Sequence, residues 1–331
     1  MTLDSTALRR ELRQAGLTNG AIDAVWPEWW TEGADASPSA SAELRFTLAR
    51  RLGLAPKSLF EGPPRFVWRD RAKYKNLGST SQEEVGILTS FGVAVAQALL
   101  PATPGFRPLP DSALELRAAL LQSGHAVGLG DLVSFCWAVG IPIIQLRLFP
   151  LEQKRMHAMT VRLDDRFAIL LGREVAYPAQ AAYMVAHEIG HAVLRHAAGE
   201  AAVFDVEDPL EMAELDDEEQ EADRFALELL TGDPTVTVES SSDEYRAVDL
   251  ASAALSASKT KRVDPGVLAL CLAHATGRWA EGVGALKVLS DGSTDVGGQI
   301  NAIARHEMEW DSISLEVRDF LSKVMREAVA A

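Results

Sequence analysis

The sequence has 2 cysteines in 331 residues, too few for a disulfide framework or a cysteine-rich zinc module. Cys136 and Cys271 sit in the apolar runs Phe135-Cys136-Trp137 and Leu270-Cys271-Leu272, and read as small core residues. No apolar run reaches the ~20 residues that a membrane span needs. The longest, residues 85–100, contains Thr89, Ser90 and Gln97 and ends at Pro101, so it reads as a buried helix. The start carries Arg9, Arg10, Glu11 and Arg13 with no apolar block behind them, which does not fit a signal peptide. The expected setting is cytoplasmic, with no membrane partner. Positive charge is also short: 32 Lys and Arg face 47 Asp and Glu, a net charge of −15. That balance argues against a general nucleic-acid binder.

What is present is ordinary for a globular chain. Hydrophobic residues at 47% and charged residues at 24% exclude disorder, collagen and coiled coil as whole-chain descriptions. At ~150 residues per domain the length allows about two domains, or three small ones. Charge is unevenly placed. Residues 205–223 hold eleven acids and no base. Residues 45–75 hold nine bases against Glu61 and Asp70, which leaves a local basic face open.

Periodicity divides the chain into three parts. Residues 1–81 read as a helical N-terminal region, with helices at 4–15 and 41–54, a Ser/Ala/Pro-rich loop at 33–42 and a linker at 78–81. Residues 82–235 begin with helices at 83–100, 112–122 and 130–139. Strands follow at 141–148, 156–163 and 166–171, the last two joined by the Asp164-Asp165 turn as a hairpin. Helices follow around residues 178–194 and 215–230. Residues 236–331 read as a helical C-terminal region with a break at 290–298. The expected fold class is α+β, mostly helical, with a small, mainly antiparallel sheet.

One motif carries chemistry. His187-Glu188-Ile189-Gly190-His191 is an H-E-x-x-H sequence inside a helical pattern. Side chains at i and i+4 share a helix face, about 5–6 Å apart. Two imidazoles so placed can hold one Zn²⁺, which lowers the pKa of water to about 7. Glu188, one step round from His187, is placed to take the proton and pass it to a leaving amine. An exposed helix with solvated histidines is the plain alternative. The apolar residues on both sides, Met184-Val185-Ala186 and Ala192-Val193-Leu194, argue against it, because histidines on a buried helix need partners.

A third ligand is required. An extended motif would place Gly at 194 and His at 197, and the sequence has Leu194 and Ala197. His196 is out of place for a ligand and reads as a surface or capping residue. The acidic helix supplies the alternative. Ala222, Phe225, Ala226, Leu229 and Leu230 define its buried stripe. Glu219 falls inside that stripe, Glu218 near its edge and Glu221 well outside it. Asp223, at i+4 from Glu219, can accept the second N–H of a ligating histidine. The reading is therefore His187, His191 and Glu219 as metal ligands, Glu188 as the catalytic residue, and Asp223 behind them. Tyr183 reads as a core residue.

His187-Glu188-Ile189-Gly190-His191, followed by the run from Glu219 through Ala222-Asp223 and Phe225-Ala226 to Leu229-Leu230, resembles the ImmA/IrrE family of zinc metallopeptidases. The likeness extends over residues 112–235. It implies a minimal gluzincin-type fold with a short sheet on an H-E-x-x-H helix and a glutamate helix. It implies the same ligand set, and as substrate a regulatory protein such as an Xre-type helix-turn-helix repressor or an antitoxin. Residues 48–60 are similar to the last helices of an Xre module, but Trp26-Pro27-Glu28-Trp29-Trp30 stands where its other helices belong. A degenerate interaction domain is favoured there over DNA binding. The competing reading is a zinc-containing transcriptional regulator or scaffold without proteolytic activity. In related zinc peptidases an edge strand shortly before the active-site helix pairs with the substrate. The strand at 166–171 is expected to be that edge.

Overall fold

The computed structural model describes residues 4–68, 82–151, 156–196, 202–205, 217–236, 238, 244–290 and 295–326. Four helices come first: α1 (Ser5–Gln14), α2 (Asn19–Val25), α3 (Pro38–Leu52) and α4 (Ser58–Glu61). The reading of residues 33–42 as a loop is corrected here. Ser37 caps α3 by accepting from the Ala40 N–H, and Pro38 sits at the first helical position, where its missing N–H costs nothing. Helix α2 was not anticipated. It is short, and is started by the Thr18 hydroxyl accepting from Ala21 N–H. Arg51, almost fully buried, binds this region to the far end of the chain. Its guanidinium donates to the carbonyls of Val25 and Glu316 and pairs with Asp319. The basic stretch at 69–75 and the linker at 78–81 lie outside the described residues.

Helix α5 (Gln82–Leu99) is apolar on every side, with Val85, Ile87, Leu88, Phe91, Val93 and Val95 all buried. With the turn that follows, the stretch Glu83–Ala102 is long and apolar enough to cross a bilayer, yet 83% of its apolar window is buried inside the protein. Its buried polar residues, Thr89 and Ser90, have partners inside the protein. Thr89 donates to the Val85 carbonyl, and Ser90 accepts from the Trp68 N–H. Two further helices, α6 (Ala113–Leu120) and α7 (Leu129–Ala138), lead into the sheet.

The sheet contains β1 (Ile143–Gln145), β2 (Ala158–Leu163), β3 (Arg166–Leu171) and β4 (Ala202–Asp205), in the order β1-β3-β2-β4. β2 and β3 form the expected two-residue hairpin, with Asp164 in the left-handed region at φ 54°. β1 pairs parallel to β3, and β4 pairs antiparallel to β2. Two of the three pairings are antiparallel, as expected of a mainly antiparallel sheet. The edge assignment is corrected. β3 is flanked on both sides, because the parallel partner β1 arrives from a distant segment and takes the side a hairpin alone leaves open. A substrate cannot add to β3.

Helix α5 covers one face of this sheet. Gly92 permits the close approach, since a Cβ there would collide with the Met159 thioether. The opposite face receives α8 (Pro178–Leu194), on which α9 (Asp217–Thr231) packs. Alternation along β2 points Met159 to α5 and Thr160 to α8. With both faces covered, β3 is buried from Phe167 to Leu171. Arg117 on α6 holds the far end of α9, donating to the Leu229, Leu230 and Arg262 carbonyls.

The chain ends in α10 (Ala247–Lys261), α11 (Pro265–Thr276), α12 (Trp279–Leu289), α13 (Val296–Glu307) and α14 (Leu315–Val324). They reach back to the sheet. Asn301 on α13 accepts from the Gln145 N–H at 2.8 Å and donates to the Gln145 carbonyl at 2.9 Å. Arg147 N–H donates to the Val324 carbonyl. The outer side of β1 is thus closed by a side-chain amide, and the paired strand stops at Gln145 although the apolar run goes on. The fold is α+β and mostly helical, with one hydrophobic cluster joining Leu8 on α1 to Leu321 on α14.

Candidate metal and active site

Helix α8 starts with Pro178 at its first position and is rich in alanine along the buried side: Ala179, Ala181, Ala182, Ala186 and Ala192. Small residues let neighbours come close. Helix α9 comes close at Gly190, where an added Cβ would sit 3.2 Å from Ala222 Cα and 3.3 Å from its carbonyl oxygen. That contact holds the first turns of α9 against the middle of α8. It brings Glu219 to His187 and His191, and all three are buried.

The three side chains converge. His187 Nε2 lies 3.0 Å from His191 Nε2 and 3.1 Å from Glu219 Oε2, and His191 Nε2 lies 3.5 Å from that oxygen. Protons fix the roles of these atoms. His187 Nδ1 is 2.9 Å from Asp223 Oδ1, which also accepts from the Tyr183 hydroxyl at 2.7 Å. A carboxylate only accepts, so Nδ1 carries a hydrogen and donates, and Nε2 can turn a lone pair inward. Lone pairs crowded this closely repel unless a cation sits between them. Tetrahedral zinc with bonds of ~2.0–2.1 Å separates its ligands by roughly 3.3 Å. The observed separations lie around that value, so the donor set fits such an ion in number, chemistry and spacing.

Without the ion, a proton serves. Burial alone pushes the His187 imidazolium down. Hydrogen bonds to Asp223 and Glu219 and the nearby Glu188 charge outweigh it and hold its pKa well above the ordinary histidine value. Burial likewise opposes ionisation of Glu219, but its bonds to His187 and His191 hold the carboxyl well below the usual carboxylate range. The cluster concentrates negative charge where a cation is expected.

Glu188 lies beside the cluster, where its charge is felt by His187, and is tied to the sheet. Its Oε2 accepts from the Thr160 hydroxyl at 2.5 Å. Burial raises its pKa, partly offset by His191, His187 and Thr160. A buried carboxylate with a raised pKa, anchored by one oxygen, suits a group that accepts and returns a proton. Replacing Thr160 with Val should leave metal content unchanged and lower kcat by about tenfold, the cost of roughly one charge-assisted hydrogen bond. Steady-state rates beside elemental analysis test this. An unchanged kcat would show that Glu188 is held without Thr160.

The structure brings His187, Glu188, His191, Glu219 and Asp223 together as the helical spacing implies, and leaves Glu221 half-exposed. Glu218 is at the margin of the buried side. Two assignments change. Tyr183 is not merely a core residue, since its hydroxyl is tied to Asp223. His196 is not a surface residue. Its side chain is 5% exposed and rests against His191. Arg195 takes the left-handed conformation at φ 60°, and that turn folds His196 back where helical periodicity would carry it away. Thr160 left a fainter trace, as a polar residue set between Met159 and Val161.

A family model described as Peptidase U49 matches residues 160–276, from Thr160 through the helix pair to the end of α11. The similarity is to a peptidase family. No curated protein and no solved structure matches the chain.

Proposed function

We propose that this chain is a zinc-dependent endopeptidase of the ImmA/IrrE type. The observation that carries the reading is the convergence of three buried ligand atoms from His187, His191 and Glu219 beside an anchored carboxylate, Glu188. Bound zinc supplies Lewis acidity, which polarises a peptide carbonyl and lowers the pKa of water. The chain's own residues do the rest. His187 and His191 present their Nε2 atoms, Asp223 orients His187, and Glu188 takes a proton from water and returns it to the leaving amine. Three ligands among the described residues leave a position for substrate, whereas structural zinc sites are closed by four. This favours an enzyme over a scaffold. The proposed substrate is a flexible segment of a regulatory protein, such as a helix-turn-helix repressor or antitoxin. This rests on the likeness of the motif and glutamate helix to that family.

Metal content tests the reading. Purified protein should hold about one zinc per chain. Glu219→Gln should lower this at least tenfold by removing a charged ligand. Glu221→Gln should not, because it lies outside the cluster and its amide oxygen still accepts from His196. The reverse result, or a wild-type protein that binds no divalent metal, would reject the site.

A further inference from the structure

Behind His191, on the side away from the cluster, lies a polar chain. His191 Nδ1 is 2.9 Å from His196 Nδ1, the two rings standing nearly edge-to-face. His196 Nε2 is 3.1 Å from Glu221 Oε2. The three groups come from three different settings: the active-site helix, the left-handed turn that ends it, and the outer side of the glutamate helix.

Only one placement of protons satisfies this chain when His191 faces a metal through Nε2. Nδ1 of His191 must then carry its hydrogen. The lone pair 2.9 Å away belongs to His196 Nδ1, which accepts it. His196 therefore keeps its hydrogen on Nε2 and donates it to Glu221, a carboxylate that only accepts. Every N–H points outward, away from the cluster. With the opposite polarity, His191 would carry its hydrogen on Nε2, aimed at His187 and Glu219, and could not ligate.

We infer that His196 is a positioning residue. It fixes His191 in the tautomer that turns Nε2 to the metal, and Glu221 fixes His196 in turn. The inference rests on the reading of His191 as a ligand. It makes the two histidines unequal. His187 leans directly on a full negative charge, Asp223, whereas His191 leans on a neutral ring with the charge one residue further out. A carboxylate partner raises ligand basicity and a neutral one does so less, so His191 is the weaker of the two donors and depends more on being held in place.

The test compares His196→Leu with His196→Asn in the full-length protein at fixed pH, with zinc affinity measured by competition against a chromophoric chelator. Leu fills the space without accepting a hydrogen bond, and should weaken zinc binding by ~10–100-fold. Asn offers an amide oxygen to His191 and should recover most of that loss. Thermal stability of the metal-free proteins separates packing from positioning. If Leu binds zinc as wild type does, or if Leu and Asn lose affinity equally, His196 does not position His191 and the inference falls. Nitrogen NMR of the zinc-loaded wild-type protein gives a reading that needs no variant. His191 should show a hydrogen on Nδ1 and a metal-shifted Nε2, and ligation through Nδ1 would overturn the inference. A wild-type protein without zinc affinity would reject the metal site itself. Affinity in the wild type that is unchanged in His196→Leu would reject only the role of His196.

Discussion

Glu188→Gln should leave about one zinc per chain and an unaltered fold, and lower kcat for peptide cleavage by ~10²–10⁴-fold, the range attributed to a positioned acid–base group. The amide keeps the size of the side chain and can still meet the Thr160 hydroxyl. It has no proton affinity in the useful range, so water is no longer activated and the leaving amine is not protonated. Because Glu188 is held by Thr160 and supplies none of the three cluster ligand atoms, metal content should not follow the loss of rate. A denatured protein such as casein, with products followed by mass spectrometry, serves while the natural substrate is sought. Cleavage at the wild-type rate would remove Glu188 from the mechanism. Loss of zinc together with rate would mean that it helps hold the ion.

A large effect of a different kind is expected at Gly190. Here Ala222 and Phe225 already stand at 3.2–3.3 Å from the place of a Cβ. Gly190→Leu must push α9 away from α8. Overpacking of this sort costs about 1–3 kcal/mol. The gain in helix propensity on losing a glycine, about 1 kcal/mol, offsets only part of it. The functional cost is larger. Glu219 rides on the displaced helix, and its oxygen must stay near both imidazole nitrogens to share an ion with them. Zinc affinity should fall more than tenfold and the melting temperature by several degrees. A variant that melts and binds zinc like wild type would show that Glu219 reaches the cluster without this contact.

The parts that were legible in the sequence are those that follow local periodicity. The 3.6-residue repeat put His187 and His191 on one face, and chose Glu219 over Glu221, because both questions concern a single helix. The β2–β3 hairpin was legible from Asp164-Asp165. Features set by distant pairing were not. Whether β3 is an edge depends on β1, which joins it across an intervening hairpin strand. β4 lies next to a run of acids that reads as solvated chain. The inward turn of His196 depends on one backbone angle at Arg195, and arginine gives no sign of it. Helix α2 is shorter than the windows in which periodicity can be counted.

The amide of Asn301 has a consequence for how the molecule can be divided. A strand with free N–H and C=O groups is a template for a strand of another molecule. Here a side chain from α13 occupies those groups at Gln145 before a neighbour can. A fragment cut after α9 would keep β1, both histidines and the glutamate. It would also leave the Gln145 N–H and C=O open on the outer side of β1, and self-association through that edge would follow. The C-terminal helices thus insulate the sheet, and the protection of its β1 edge depends on residues remote from the His187–His191–Glu219 cluster.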